Sequence, residues 1–220
     1  MASSYINDES PKGIQVRIIA KETQMKKLVI ASNNPGKLAE FQTLLAPLGI
    51  EVVTQAQLGI KEAEEPHNTF IENALAKARY VSRESGLPAL ADDSGICVDA
   101  LNGAPGVFSA RYSGLPPSDE RNNKALLEAM KTYTDRRAHY YCVLVLLQKA
   151  GDAQPLIAEG EWRGEIAREP RGTGGFGYDP LFWLPALGKM SAELSRQEKD
   201  ANSHRGKAMR VMLEKLKIAI

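Results

Sequence analysis

Apolar residues recur along the chain with two periods, and the order of these periods predicts a mixed α/β fold. Leu28 to Ala31 is a short apolar strand, and Ser32-Asn33-Asn34-Pro35-Gly36-Lys37 joins it to a helix from about Leu38 to Leu45. A second strand around Ile50 to Val53 is followed by the acidic stretch Glu62-Ala63-Glu64-Glu65-Pro66. Thr69 and Glu72 then have the spacing of a capping box, opening a helix that runs to about Ser85, before Gly86. Ala74, Ala78 and Val81 repeat at helical intervals and mark its packing face. Leu87 to Ala91 reads as a strand ending in Asp92-Asp93, with Ser94-Gly95 as the turn that closes it. Ile96 to Val98 is another short apolar segment. A helix from about Asp119 to Lys131 follows, capped by Ser118 or Asp119. Tyr140 to Leu147 is a buried strand that Leu156 to Glu161 can join as a hairpin across Gly151-Asp152, and an amphipathic helix closes near Leu216.

The start of the chain does not follow this pattern. Ser3 to Lys12 is polar, Ile14 to Ile18 alternates like a strand, and Met25 reads as a fresh start. Residues 1–24 are therefore expected to be a leader or extension outside a functional unit spanning 25–220. Asp8, Glu9 and the low arginine content argue against a transit peptide.

Composition narrows the functional classes. With 28 Lys+Arg against 27 Asp+Glu, the net charge of +1 provides no broad field for a nucleic-acid backbone or an anionic membrane. Any anion has to be held locally. Cys97 and Cys142 are far apart, each among apolar neighbours, which predicts free thiols. The absence of a disulfide framework, of a long apolar run and of a secretion pattern predicts a cytoplasmic protein. His67, His139 and His204 lack metal-ligand spacing, so no structural zinc is expected.

Five stretches carry candidate chemistry. Asp92 and Asp93 follow an apolar strand, on which successive side chains face opposite ways, and Asp93, next to the expected turn, is the candidate catalytic carboxylate. Ser32 to Lys37 places free backbone N–H groups and a lysine at a helix start, which suits a phosphate. It is not a Walker A loop, since Ala31 and Leu38 stand where that motif needs Gly and Ser or Thr. Taken alone, the same residues also serve as an ordinary cap. Glu72 has a capping role, which leaves Glu64 and Glu65 as the metal-ligand candidates within what is otherwise a solvated acidic turn. In Arg171 to Pro180, four glycines surround Phe176, whose face suits stacking on a base, and Asp179 can accept from a ring N–H or a sugar hydroxyl. His204-Arg205, at a helix start, can donate to a ring carbonyl.

Together, SNNPGK, TFIENA, LPALADDSG, GAPGVFSARYSG, GTGGFGYDP and SHRGKA stand in the order and spacing of one family. From Met25 to about Leu216 the chain resembles the inosine/xanthosine triphosphate pyrophosphatases. The resemblance implies a mixed α/β sheet with two lobes flanking a long cleft, a homodimer, and Mg²⁺-dependent cleavage of ITP, dITP and XTP to the monophosphate and pyrophosphate. It also implies roles by position. Ser32, Asn33, Asn34, Pro35, Gly36 and Lys37 form the triphosphate loop; Asp93 is the base and a metal ligand; Glu64 is the other ligand; and Ser94 touches substrate. Phe176, Gly177, Tyr178 and Asp179 form the base and sugar platform, Lys199 lies beside phosphate or base, and His204 and Arg205 read the base. A related enzyme for pyrimidine or modified nucleotides, and a sensor that binds without hydrolysis, are the alternatives. Substrate here is a small nucleotide, with neither nucleic acid nor membrane as partner.

Overall fold

The structure, a computed structural model, describes residues 25–219. The proposed extension 1–24, including its strand-like Ile14 to Ile18, lies outside the described residues. The strands are β1 (Lys27–Ala31), β2 (Glu51–Thr54), β3 (Ala89–Val98), β4 (Arg137–Leu147), β5 (Leu156–Ile166), β6 (Phe182–Leu184) and β7 (Lys189–Met190). They form one seven-stranded sheet in the order β2-β1-β3-β4-β5-β6-β7. β1 runs parallel to both its neighbours, and every pairing from β3 outward is antiparallel. The helices are α1 (Pro35–Leu45), α2 (Phe70–Ser85), α3 (Asp119–Ala129), α4 (Arg196–Asn202) and α5 (His204–Ala219). Among the described residues no helix is long and apolar enough to cross a membrane.

One expected element is corrected. Ser94-Gly95 is not a turn: β3 continues through it, paired with β4 from Ala89↔Leu147 to Val98↔Ala138. The glycine is needed for close approach, because a Cβ there would lie 2.5 Å from Ser109 Oγ and 3.1 Å from the Phe70 ring. A short 3-10 helix, Gly106–Arg111, supplies that neighbour, and Ser109 Oγ accepts from Ile96 N at 2.9 Å. At Ile96 and Cys97 the edge of β3 is thus partnered without another strand.

Alternation along β3 explains the layout. Leu90 packs with Phe41 and Leu45 of α1 and with Met209 and Met212 of α5, while Ala89 and Ala91 pack with Ala74, Ala78 and Val81 of α2 on the opposite face. Further along, Ile96 and Val98 join a separate core with Leu126, Met130, Trp162 and Phe182. Asp92 and Ser94 share the face of Leu90 and Ile96 by strand alternation, and so lie between two apolar cores. Pairing to β1 ends at Ala31↔Ala91, so the two aspartates begin where β1 gives way to its loop. A cleft at the carboxyl ends of adjacent parallel strands is the place where open α/β sheets bind ligands.

Candidate active site

The phosphate-loop candidates form the start of α1. Asn34 caps it, its Oδ1 accepting from Lys37 N at 3.1 Å, and Pro35 occupies the first turn, where its missing N–H costs nothing. Ser32 Oγ accepts from Asn34 N at 3.2 Å, which shapes the loop before the cap. Asn33 is an exposed loop residue. Ser32, Asn34 and Lys37 line a hollow of about 540 Å³ together with Glu64, Glu65, Lys77, Asp92 and Arg111. Asn34 and Lys37 also line a narrower slot of about 110 Å³, so the two compartments meet.

The slot gathers Ser94, Phe176, Gly177, Tyr178, Asp179, Lys199, His204 and Arg205. The glycine-rich platform is fastened from several sides. Gly177 N donates to Asp119 Oδ2 at 2.7 Å, Asn123 Nδ2 donates to Gly177 O at 2.8 Å, and the Tyr178 hydroxyl donates to Ser109 O at 2.8 Å. Asp179 is 2% exposed and accepts from Phe176 N, Ser191 Oγ and Lys199 Nζ at 2.9, 2.9 and 2.5 Å. Its carboxylate therefore holds the loop in shape. The Phe176 ring rests against Gly36, with Lys199 Nζ 4.6 Å from its centroid and the Arg205 guanidinium 5.9 Å away.

His204 and Arg205 come from the first turn of α5. A Cβ at Gly160 of β5 would run into the backbone of His204 and Ala208, so that glycine lets the helix start lie directly on the sheet. The His204 ring stacks on Tyr140 at 4.7 Å and 8°, and its buried Nδ1 has no hydrogen-bond partner among the described residues. Burial and then the neighbouring Arg205 hold its pKa well below the ordinary imidazole value. His204 is thus a neutral ring with a polar atom to spare. Arg205 Nε donates to Asp92 Oδ2 at 2.8 Å, Nη2 donates to Ser94 Oγ at 2.9 Å, and Nη1 donates to Glu40 Oε2. Three of its five N–H donors are used by these bonds, leaving two.

The two aspartates have opposite surroundings. Asp92 accepts from Arg205, from Ser94 Oγ at 2.9 Å, from Cys142 Sγ at 3.1 Å and from Lys37 Nζ. Burial alone would raise its pKa, but Arg205 and Lys37 hold it well below the ordinary carboxylate value. Asp93 faces α2, where Lys77 Nζ donates to Oδ1 at 2.8 Å and Asn73 Nδ2 lies 3.4 Å from Oδ2. Burial raises the Asp93 pKa, with Glu65 reinforcing and Lys77 opposing the effect. Asp92 lies in the wall of the hollow beside Lys37 with its side chain fully buried, whereas Asp93, on the opposite face of β3, lines neither compartment and is joined to the hollow through Lys77.

Glu64 and Glu65 also separate. Glu65 accepts from Lys77 Nζ at 2.6 Å and from Arg111 Nη1 at 3.0 Å, whereas Glu64 is exposed and makes no hydrogen bond or ion pair with the described residues. Lys77, Arg111 and Glu40 are site residues that the sequence pattern passes over. Lys77 had a signal: it falls within the Ala74-Ala78-Val81 face of α2, where a lysine needs an anionic partner. Among the described residues no group of three His, Cys, Asp or Glu side chains is arranged as a metal site. The hard oxygen donors Glu64 and Asp93 nonetheless suit Mg²⁺, which uses one or two carboxylates and completes its shell with water and phosphate.

Fold and site together define an α/β protein that can hold a flat heterocycle and a polyanionic tail end to end in one cleft. The chain belongs to the Ham1 family, whose profile matches residues 28–215. It is 67% identical to a dITP/XTP pyrophosphatase of Nitrosomonas europaea over 192 residues, covering 87% of this chain and 95% of that one. A protein of the same description from Ralstonia nicotianae is 62% identical, with 88% and 98% covered. The solved structure of a HAM1 protein from Coxiella burnetii superposes with a TM-score of 0.82 at 48% identity, over 88% of this chain and 99% of that one.

Proposed function

We propose that this chain hydrolyses the non-standard purine nucleotides ITP, dITP and XTP to the nucleoside monophosphate and pyrophosphate. The observation that carries the reading is the continuity of the two compartments. Lys37, Lys77 and Arg111 line the hollow beside Glu62, Glu64, Glu65 and Asp92, so phosphate-binding cations and carboxylates stand together there, and Asn34 and Lys37 are shared with the slot that holds Phe176, His204 and Arg205. The similar proteins are named for two of these substrates, dITP and XTP.

In this reading water attacks the α-phosphorus, the bond from that phosphorus to the bridging oxygen breaks, and pyrophosphate leaves. Asp93 is the base that orients the water and takes its proton. Asp92, saturated by four donors, has no lone pair to spare, and the contrast in environment divides one electrostatic anchor from one base. Lys37, Lys77, Arg111 and the loop amides neutralise the triphosphate and the departing pyrophosphate. Glu64 and Asp93 would hold Mg²⁺, which when bound would supply charge neutralisation at the phosphates and a more acidic water. A covalent route through sulfur is disfavoured. Burial first, then Glu161 and Asp99, push the Cys97 thiol up to about 11, and the buried Cys142 donates to Asp92.

Arg205 presents its two remaining N–H donors to the 6-oxo group of hypoxanthine or xanthine, whereas the 6-amino group of adenine would set donor against donor. We assign the activity to residues 25–220, with 1–24 outside it, and a homodimer as its form, both supported by the family resemblance, and a cytoplasmic setting, supported by the sequence composition. Asp93→Asn tests the chemical role. Turnover of ITP is expected to fall by about 10²–10⁴ with nucleotide binding retained, and near-normal turnover overturns the assignment.

A further inference from the structure

The assigned roles leave open how the base end of the cleft and its phosphate end are connected. Asp92 touches both. It is 2% exposed; its Oδ1 accepts from Lys37 Nζ and from Ser94 Oγ at 2.9 Å, and its Oδ2 accepts from Arg205 Nε at 2.8 Å. Ser94 Oγ closes a ring by accepting from Arg205 Nη2 at 2.9 Å. Lys37 and Arg205 are thus held on the two oxygens of one carboxylate. They differ in what else restrains them. Arg205 is also tied to Glu40 and is itself 2% exposed, whereas the Lys37 side chain is 17% exposed, faces the hollow, and among the described residues is in direct ion-pair contact with Asp92 alone.

We propose that Asp92 is a positioning residue that couples the two halves of the cleft, so that a polyphosphate drawing Lys37 toward the hollow tightens the grip of Asp92 on Arg205 and improves base binding. The physical step is a competition between anions for one ammonium. A polyphosphate in the hollow takes a share of the Lys37 charge; the negative charge on Asp92 is then less compensated and acts more fully on Arg205. With its plane fixed by Asp92, Ser94 and Glu40, Arg205 holds its two unused donors in place. Linkage makes the effect reciprocal, so a bound base must tighten polyphosphate binding by the same factor. The inference rests on reading Lys37 as phosphate-facing and Arg205 as base-facing.

The test uses the full chain and two partial ligands, inosine and inorganic tripolyphosphate, titrated calorimetrically at saturating Mg²⁺. Saturating tripolyphosphate is expected to tighten inosine binding about fivefold or more, and inosine to tighten tripolyphosphate equally. Asp92→Asn is expected to bring this factor to one, whatever it does to each affinity alone. Cys142→Ser, which keeps both ion pairs, is expected to retain the factor. A factor of one in the wild-type chain overturns the coupling even if Asp92→Asn fails to fold. Retention of the factor in a folded Asp92→Asn variant, or its loss in Cys142→Ser, overturns the role given to the Asp92 charge. Failure of either ligand to bind by itself overturns the assignment of the two compartments, and is thereby distinguished from failure of the coupling alone.

Discussion

Gly36 offers a sharp test of how the phosphate loop and the base platform fit together. It lies in the first turn of α1, where the helical backbone accepts alanine and where alanine is ordinarily favoured by up to about 1 kcal/mol. A Cβ at this position would lie 2.5 and 2.6 Å from Cδ1 and Cε1 of Phe176. Carbon atoms in contact sit about 3.5–4.0 Å apart, so the ring must retreat by about 1 Å. Retreat takes it from Lys199 and Arg205 and from the place where a base stacks, an interaction worth about 1–3 kcal/mol. Gly36→Ala is therefore expected to lower kcat/KM for ITP by about 5- to 150-fold, without loss of thermal stability. The assay is pyrophosphate release under initial-rate conditions, for Gly36→Ala, Phe176→Ala and the double variant. Because the Cβ acts through the ring, the alanine at 36 should cost little once Phe176 is already Ala. An equal loss in both backgrounds would refute the steric argument.

The two glutamates before α2 should respond differently. Glu64→Gln is expected to raise the Mg²⁺ concentration needed for half-maximal activity by about tenfold, since it removes one of two proposed carboxylate ligands. Glu65→Gln should leave that concentration nearly unchanged and lower turnover instead, by loosening Lys77 and Arg111. An Mg²⁺ titration of both variants checks this, and the opposite pattern transfers the ligand role to Glu65. His204 makes a prediction about stability. Its folded pKa is depressed, so the unfolded chain takes up the proton first as pH falls below the ordinary value of 6.5. The stability present above that pH is then lost at up to about 1.4 kcal/mol per unit. His204→Phe keeps a ring beside Tyr140 and cannot titrate, so its melting temperature should fall less than that of the wild-type chain between pH 7 and pH 5. Parallel curves would show that the depressed imidazole contributes nothing.

Much of the cleft was legible because local chemistry determines it. Thr69 announces the start of α2, where its Oγ1 accepts from Glu72 N at 3.3 Å, while α1 begins at Pro35, three residues before the expected Leu38, because Asn34 is the cap and Pro35 fits the first turn. Glu72 departs slightly from the expected box, accepting from the Thr69 hydroxyl at 2.5 Å. Gly95 was misread for a physical reason. Glycine serves turns and close approaches alike, and only the presence of Gly106–Arg111 beside β3 tells them apart. Charged residues in helices read as solvent-facing, which hid Glu40 next to Phe41 and Lys77 among the small residues of α2. The different fates of Asp92 and Asp93 were out of reach of local pattern, since the arginine that saturates Asp92 is 113 residues away in sequence. Alternation showed that the pair must diverge. Which partners each would meet depended on the packing of α5 on one face of the sheet and of α2 on the other.

The central claim is that one continuous cleft takes a 6-oxo purine and its triphosphate and releases pyrophosphate. The most direct measurement is a panel of ITP, dITP, XTP, GTP, ATP and CTP with Mg²⁺, in which pyrophosphate and orthophosphate are quantified separately. The account predicts pyrophosphate and monophosphate from ITP, dITP and XTP, with ATP and CTP turned over far more slowly. Orthophosphate as the product, or ATP cleaved as fast as ITP, would contradict it.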